Sequence, residues 1–381
     1  MVHGNMASVN LPRLIIAASD SNADMLYATG FRVPDAFLFL EKNGRTSVLL
    51  SDLEVDRGRR EAKVDEVVPY SEVERKVRGR SKRPPSYGRV AAGYLRSQGV
   101  DAVRVPSNFP LGTAVELSKA GVSIKPVTGH FWPQREIKTP DELVALGRSL
   151  RMTEAAMQRA FDILRASKIR KNGDLVWAGT ALTSERLRTE IESVILREGG
   201  VAMNNSIVAC GEQACDPHER GHGPLRAHAM IILDIFPRDA TSGFFGDLTR
   251  TVVRGQASDA QRRMWDICLR AQQRALRQLK PGANGAALQD GIREFFTKSG
   301  YPTELRGGRW TGFFHGLGHG LGLEIHEEPR ISRTVLSPGQ VFTVEPGIYV
   351  PGVGGVRHED VAVVTARGHR MLTSIEKPFE I

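Results

Sequence analysis

Residues 313–329 have the sequence FFHGLGHGLGLEIHEEP, which sets three histidines among closely spaced glycines. His315 and His319 stand four positions apart, but the glycines around them exclude a stable helix. The segment is therefore not the helical HExxH signature of zinc peptidases. It also fails the GxGxxG dinucleotide pattern, because position 321 is leucine. Glycine-rich backbone allows close approach to a small ligand, and a metal ion with a short substrate is such a ligand.

Four acidic residues outside this segment stand in apolar stretches that are predicted to form strands. Asp234 lies inside MIILDIF, where a buried charge is costly without a partner or a metal. Asp247 follows in GFFGDLTRT, and pairing of these two strands as a hairpin would bring both carboxylates together. Glu345 in VFTVEPGIYV and Glu359 in GVRHEDVAVV have the same character. Lysine is absent from all four segments, so ordinary salt bridges do not account for the acids. A turn-bonding Asp234 stays an open alternative.

Four carboxylates and one imidazole would form a hard, oxygen-rich metal site. Such a donor set suits Mn²⁺, and also Co²⁺ or Fe²⁺, better than a thiolate-rich zinc site would. Two bridging carboxylates can hold two cations about 3.5–4 Å apart, and the pair then lowers the pKa of a shared water. These residues therefore predict a two-metal hydrolase.

Four segments together resemble the metal-binding motifs of the pita-bread metallopeptidases, namely LDIFPRDATSGFFGDLTRT, HGLGHGLGLEIHEEP, TVEPGIYV and GVRHEDVAVV. That family contains prolidase, aminopeptidase P and methionine aminopeptidase. The order Asp, Asp, His, Glu, Glu matches, and the resemblance covers about residues 135–375. The N-terminal stretch MLYATGFRVPDAFLFL is similar to the extra domain of the prolidase and aminopeptidase P branch. The resemblance implies an α+β protein with a pita-bread (creatinase/aminopeptidase) catalytic domain behind an α/β creatinase-like domain.

The resemblance assigns the metal ligands residue by residue. It implies that Asp234, Asp247, His319, Glu345 and Glu359 hold two divalent metal ions, with Asp247 and Glu359 bridging them. Mn²⁺ is the expected metal, with Co²⁺, Zn²⁺ and Fe²⁺ as alternatives. Glu345 would also serve as the proton shuttle.

The same resemblance assigns the substrate pocket. It implies that His326 contacts the substrate near the scissile amide and that His315 and His218 are further catalytic and substrate-binding histidines. His222 is a rival of His218 for its position. Arg357 would lie beside the metal ligands or bind the substrate carboxylate.

The implied activity is hydrolysis of the Xaa-Pro bond of dipeptides by a metal-bridging hydroxide, as in prolidase. An aminopeptidase P activity on longer Xaa-Pro peptides is the alternative. A metal-free creatinase-like hydrolase or a binding pseudoenzyme is disfavoured, because all five ligands are present. The chain departs from the family pattern in the longer spacing from Asp234 to Asp247, in Phe244 where a tyrosine is usual, and in Phe236 where a glycine is usual. These departures put the level of activity in question.

Composition excludes several other classes. The chain has 381 residues, three cysteines and a net charge of +9, and its basic residues are mostly dispersed apart from Arg75–Arg89. We therefore expect no nucleic-acid partner. No apolar run approaches the roughly 20 residues of a membrane span, and no secretory signal is visible. The predicted location is cytoplasmic, and the resemblance implies a homodimer.

Element patterns predict two domains. Residues 1–11 are expected to be disordered or vector-derived, 12–130 to form the α/β domain, and 131–381 to form the catalytic domain. Asn43-Gly44 predicts a tight hairpin, because Asn-Gly supplies the positive φ angles of such turns. Thr139 followed by Pro140 predicts the start of a helix. The later order of helices, strands, helices and strands is typical of an α+β fold with an internal duplication.

Overall fold

The structure is a computed structural model in which residues 11–203 and 206–381 are described. The chain divides into two units, with the division after Pro133. The sequence predicts a boundary three positions earlier, and the difference arises because Phe131 and Trp132 pack into a core of the first unit. The expected disordered or vector-derived segment 1–11 lies outside the described residues, apart from Leu11.

The first unit is an α/β structure. Its strands are β1 Arg13–Ala17, β2 Phe37–Lys42, β3 Arg45–Leu50, β4 Glu66–Pro69, β5 Ala102–Val105 and β6 Ser123–Pro126. Its helices are α1 Ala23–Thr29, α2 Val55–Glu61, α3 Tyr70–Arg78, α4 Tyr87–Ser97 and α5 Leu111–Lys119. The strands form one mixed sheet in the order β4-β3-β2-β1-β5-β6.

Both faces of this sheet are buried. Leu14 and Ile16 belong to one apolar cluster, whereas Ile15 between them belongs to another. Side chains alternate between the faces of a strand, so a strand covered on both sides is apolar throughout. The predicted Asn43-Gly44 hairpin is confirmed, with φ angles of 52° and 78° at the turn and Lys42 paired with Arg45.

The second unit is assembled from longer helices and short sheets. Its helices are α6 Pro140–Ala166, α7 Ser184–Arg197, α8 Asp259–Gln278 and α9 Gly285–Lys298. Its strands are β7 Lys168–Ile169, β8 Leu175–Trp177, β9 Thr180–Ala181, β10 Gly200–Val201, β11 Ile207–Cys210, β12 Met230–Ile235, β13 Arg238–Asp239, β14 Leu248–Val253, β15 Glu304–Arg306, β16 Arg309–Thr311, β17 Val341–Val344, β18 Gly347–Val350, β19 Gly354–Arg357, β20 Asp360–Val364 and β21 His369–Met371. Short 3₁₀ turns cover Pro133–Glu136, Gly211–Cys215 and Ile331–Arg333.

Two similar halves make up this unit. Helices α6 and α7 share one apolar core with the sheet β11-β12-β14. Helices α8 and α9 share a second core with the sheet β17-β20-β21. The predicted α+β arrangement is therefore confirmed, while the internal duplication stays a prediction. Thr139 caps α6 as predicted, because its hydroxyl accepts from the Glu142 amide while the Glu142 carboxylate accepts from the Thr139 amide.

One strand prediction was wrong in a way that matters for the site. Asp234 lies within a strand and Asp247 just before one, as predicted, but Glu345 and Glu359, predicted to lie within strands, do not. Asp247 precedes β14, Glu345 separates β17 from β18, and Glu359 separates β19 from β20. Pro346 lacks an amide proton for the ladder, which divides the predicted strand 341–349 at this point. Acids at strand ends are free of the ladder and can turn into a shared cavity.

No helix among the described residues combines the length and the apolar character needed to cross a bilayer.

Candidate metal centre

Asp234 and Asp247 come together because β12 and β14 pair antiparallel, which confirms the predicted pairing of these strands. Asp234 lies opposite Thr249, and Asp247 immediately precedes Leu248, the first residue of β14. Both carboxylates are buried, and both line a cavity of about 1030 Å³. A cavity of this size can enclose a short peptide.

His319 and Glu345 are brought to the same cavity by backbone contacts between their segments. The Thr343 amide donates to the His319 carbonyl, and the Glu345 amide donates to the Leu317 carbonyl, each at 2.9 Å. The His319 amide in turn donates to Thr343 Oγ1 at 3.0 Å. This register leaves His319 Nε2 only 3.2 Å from Glu345 Oε1 and 3.6 Å from Asp247 Oδ2.

Glu359 completes the group from the opposite side. Its amide donates to the Thr249 carbonyl at 3.1 Å, and Thr249 Oγ1 donates to Glu359 Oε2 at 2.7 Å. One ligand atom from each of Asp247, His319 and Glu359 lies within 4.8 Å of the other two. The structure therefore brings all five residues predicted as ligands to the wall of one cavity.

The carboxylates in this group compete for positive charge. Burial, followed by repulsion from neighbouring acids, raises the pKa of Asp247 and of Glu359 well above their usual values. Burial also raises the pKa of Asp234, although the charge of Arg357 opposes this rise. At Glu345 burial opposes ionisation, but the hydrogen bond and charge of His319, with further cationic neighbours, lower the pKa to about 2. Clustered buried carboxylates need protons or cations to coexist.

Two atoms of this group are suited to bind divalent cations. His319 Nδ1 lies 3.1 Å from the Gly320 carbonyl, which can only accept, so Nδ1 carries a proton. Nε2 lies 3.6 Å from Asp247 Oδ2 and 3.2 Å from Glu345 Oε1, where a metal ion would take the place of a proton between the ring and these carboxylates. Asp234 Oδ1 is buried and has no hydrogen-bond partner among the described residues. A cation bound at each of these two positions would give the atom a partner.

Arg357 lies behind Asp234. Its Nη2 donates to Asp234 Oδ2 at 2.6 Å, its Nη1 to the Tyr349 hydroxyl at 2.9 Å, and its Nε to Thr249 Oγ1 at 3.1 Å. The side chain is 5% exposed. Of the two places expected for Arg357, beside the metal ligands or on the substrate carboxylate, these contacts fit the first, because its donors already hold protein oxygens. What it does is fix one oxygen of Asp234 and leave the other to face the cavity.

The predicted histidines are not equivalent. His218, His315 and His326 line the cavity, whereas the ring of His222 is 72% exposed and faces Glu219. His315 Nδ1 lies 2.8 Å from the Gly316 carbonyl and Nε2 lies 3.0 Å from the Tyr349 hydroxyl. Burial lowers the pKa of His315 and of His326 to about 4, so both rings are neutral near pH 7.

Comparison with known proteins identifies the family of this chain. The family model described as metallopeptidase family M24 matches residues 145–366. The chain belongs to metallopeptidase family M24. The Xaa-Pro dipeptidase of Pyrococcus horikoshii is 28% identical over 298 residues, which cover 74% of this chain and 76% of that protein.

Two solved structures are similar in fold to nearly the whole of this chain. The Xaa-Pro dipeptidase from Bacillus anthracis has a TM-score of 0.80 at 25% identity and covers 97% of this chain and 95% of its own. The X-Pro aminopeptidase from Thermotoga maritima has a TM-score of 0.80 at 23% identity, with 97% of each chain covered. The fold alone therefore does not separate a dipeptidase from an aminopeptidase.

The longer Asp234–Asp247 spacing is absorbed in this M24 chain without loss of register. Asp239 Oδ1 accepts from the Thr241 and Ser242 amides, at 3.0 and 2.5 Å, and closes a turn between the two acids. Phe236 lines the cavity, whereas Phe244 is buried and its carbonyl accepts from the Ser149 hydroxyl. The additional residues therefore extend the turn, and Asp234 still pairs with Thr249.

Sequence reasoning missed three cavity-lining cations of this M24 unit, Arg293, Arg330 and Arg333. Arg330 directly follows the HEEP motif, so its position next to a pocket histidine was a usable signal. Arg293 lies in α9, whose sequence carries no such signal. Tyr349 was also missed, although it connects His315 with Arg357.

Proposed function

We propose that this chain is a dinuclear-metal hydrolase that cleaves the Xaa-Pro peptide bond of dipeptides. The observation that carries the proposal is the group of Asp247, His319 and Glu359, whose ligand atoms lie within 4.8 Å of one another on the wall of a peptide-sized cavity. The relatives from P. horikoshii and B. anthracis, both named Xaa-Pro dipeptidase, support this substrate class.

We propose that Asp234, Asp247, His319, Glu345 and Glu359 would hold two divalent cations. Oxygen-rich donor sets suit Mn²⁺, which is the metal we propose, with Co²⁺, Zn²⁺ or Fe²⁺ as alternatives. When bound, the cations would polarise the scissile carbonyl and lower the pKa of the attacking water.

The side chains that line the cavity would transfer protons and contact the substrate. Glu345 is ionised and stands beside His319, so its carboxylate oxygens can take a proton from the attacking water and return it to the leaving proline nitrogen. His326 is neutral near pH 7 and can donate one N–H to the substrate beside the scissile amide. His315 is engaged with Gly316 and Tyr349, so it shapes the cavity wall. His218 lines the same cavity as a further substrate contact.

A free carboxylate distinguishes an Xaa-Pro dipeptide from a longer peptide. Arg293, Arg330 and Arg333 line the cavity and can supply a positive charge for this group, whereas the donors of Arg357 are already engaged by protein oxygens. Guanidinium groups bind carboxylates through paired hydrogen bonds. This charge favours the dipeptidase over the aminopeptidase.

A homodimer and a cytoplasmic location are further proposals, which rest on the family resemblance and on three free cysteines.

The test is product analysis with Mn²⁺-loaded protein on Xaa-Pro dipeptides, Xaa-Pro-Yaa tripeptides and Xaa-Ala dipeptides. We expect the Xaa-Pro dipeptides to be cleaved fastest and the Xaa-Ala dipeptides slowest. Release of the first residue from the tripeptide but not from the dipeptide would instead make the protein an aminopeptidase. A metal-loaded protein that hydrolyses none of these peptides would end the proposal.

A further inference from the structure

A buried ionic cluster lies beside the candidate metal centre. The Glu327 carboxylate contacts Lys138 Nζ at 2.7 Å and Arg135 Nη2 at 2.5 Å. The side chains of Glu327 and Lys138 are 3% and 4% exposed. Lys138 Nζ also donates to the Arg135 carbonyl, so the three residues form one closed group. None of them is a predicted metal ligand or pocket residue.

Glu327 closes the turn that follows His319. Its Oε1 accepts from the Leu323 amide at 2.8 Å and from the Glu324 amide at 3.3 Å. Its backbone exchanges two hydrogen bonds with Gly320, at 2.9 and 3.0 Å. A Cβ at Gly322 would lie 2.5 Å from Glu327 Oε2, so the turn is wrapped tightly around this carboxylate.

This turn carries or adjoins several parts of the candidate site. His326 directly precedes Glu327, and its ring meets the His319 ring edge-on with centroids 4.5 Å apart. The Gly322 carbonyl accepts from the Phe245 amide at 2.8 Å, two positions before Asp247. The Lys138 amide donates to the Gly339 carbonyl at 2.9 Å, just before β17. A displacement of Glu327 would therefore be transmitted to His326 first.

The role of this cluster is to place side chains and not to add stability, because buried ion pairs contribute little net free energy. Desolvation of buried ions offsets most of their attraction, so an apolar replacement of both partners is often neutral. A charged cluster that contributes little net stability can still fix one arrangement of a turn, because other arrangements leave a charge unpaired. Groups that orient active-site side chains have this character, and their loss typically lowers activity by about 10–100-fold.

We propose that Glu327 is a positioning residue: held by Lys138 and Arg135, it fixes the 320–327 turn and thereby sets the place of His326 in the cavity. The inference rests on the proposed peptidase function, because it assigns His326 to the substrate. It concerns this chain's own side chains and requires no particular metal.

The first experiment is a double-mutant cycle on Xaa-Pro hydrolysis with the variants Glu327→Gln, His326→Ala and the combination. Alone, Glu327→Gln is expected to lower kcat by about 10–100-fold with a smaller change in KM. In the His326→Ala background, the added Glu327→Gln substitution should lower kcat by no more than about twofold. A change of that size is within the error with which independent substitutions add. Equal losses in both backgrounds would overturn the proposal, because Glu327 would then act independently of His326.

Glu324→Gln is the matched control. Glu324 lies on the same turn and pairs with the same Arg135 at 2.7 Å, but its side chain is 57% exposed. The Glu324→Gln variant removes one negative charge from the turn, as Glu327→Gln does, but keeps the buried Glu327 carboxylate. Its kcat should therefore stay within about twofold of wild type. A loss as large as that of Glu327→Gln would mean that the loop responds to charge in general and would overturn the proposal.

Glu327→Gln leaves the buried Lys138 without an anionic partner. Should the single variant not fold, the charge-balanced Glu327→Gln/Lys138→Met variant takes its place in the cycle. Amide hydrogen exchange provides a readout that needs no substrate. Exchange within 320–327 should be faster in the Glu327 variant than in Glu324→Gln, and equal exchange would overturn the proposal. If wild type hydrolyses no Xaa-Pro peptide, the proposed function fails, while the exchange result still decides whether Glu327 fixes the turn.

Discussion

At the residue scale, Glu327 is a buried acid whose charge is set by two cations. Burial opposes its ionisation, but the charges of Lys138 and Arg135 outweigh burial and lower its pKa below the usual 4.5. An acid whose pKa is lower in the folded state stabilises the fold above its unfolded-state pKa, and this contribution disappears as the pH falls through the folded-state value. The cluster should therefore be an acid-sensitive element of the second unit.

The lowered pKa of Glu327 gives a prediction for the free energy of unfolding as a function of pH. Near pH 7, Glu327→Gln should reduce the free energy of unfolding by about 3–5 kcal/mol, because it leaves a buried cation unpaired. The difference from wild type should narrow as the pH falls from 4.5 through the lower folded-state pKa of Glu327, where the wild-type carboxylate loses its charge. Urea denaturation at a series of pH values measures it. Glu324→Gln, at an exposed pair, is the control with little effect. A difference that stays constant down to acid pH would show that the charge of Glu327 is not what stabilises the turn.

At the element scale, the glycine-rich segment 313–329 has a use that the sequence did not reveal. The sequence suggested that glycine makes room for a metal and its substrate. A Cβ at Gly318 would instead lie 1.9 Å from the Thr343 carbonyl oxygen, and one at Gly320 would lie 2.7 Å from the Glu328 carbonyl oxygen. The glycines therefore let this segment lie against β17, the strand that leads to Glu345. They make room for neighbouring backbone.

Gly318 and Gly316 form a matched pair for testing this use. An added Cβ at Gly316 meets nothing nearer than 4.0 Å, whereas at Gly318 it would overlap the backbone of Thr343. Gly318→Ala should lower the free energy of unfolding by about 1–3 kcal/mol, as overpacking does, and should shift His319 away from Glu345. Gly316→Ala should be close to wild type. Chemical denaturation of both variants measures the difference, and equal stability would contradict the packing explanation.

The local pattern predicts elements better than it predicts their partners. Strand periodicity identified β12 and β14, and the order of acids along the chain identified which side chains reach the cavity. The choice between His218 and His222 needed coordinates, because both lie on an irregular loop where no period fixes direction. The Lys138–Glu327 pair joins residues 189 positions apart, and a separation of this size leaves no trace in a local pattern. Arg357 was likewise recognisable as important, but its contact with Asp234 was not.

At the scale of the whole molecule, the second unit gathers four carboxylates at one cavity. Asp234, Asp247, Glu345 and Glu359 surround one cavity, and Arg357 is the guanidinium that contacts a carboxylate of this group. The acids arrive from both structural halves, because β12 and β14 belong to one core and β17 and β20 to the other. Cations bound here would therefore connect the two halves, so that metal binding and folding of this unit should be coupled.

Metal removal tests this coupling. A ligand that binds only the folded state adds about 2.7 kcal/mol of stability at 100 times its Kd. We therefore expect a chelator to lower the unfolding temperature of the second unit and Mn²⁺ to restore it, as followed by calorimetry alongside metal analysis.

Asp247→Asn keeps the shape of the side chain but removes a charge that would be shared between the cations, so it should lose both the Mn²⁺ response and turnover. Asp290→Asn, on the same cavity wall but 74% exposed, should keep both. If chelated and Mn²⁺-loaded wild type unfold at the same temperature, the carboxylates do not hold the metal. If Asp247→Asn responds as wild type does, Asp247 is not a ligand.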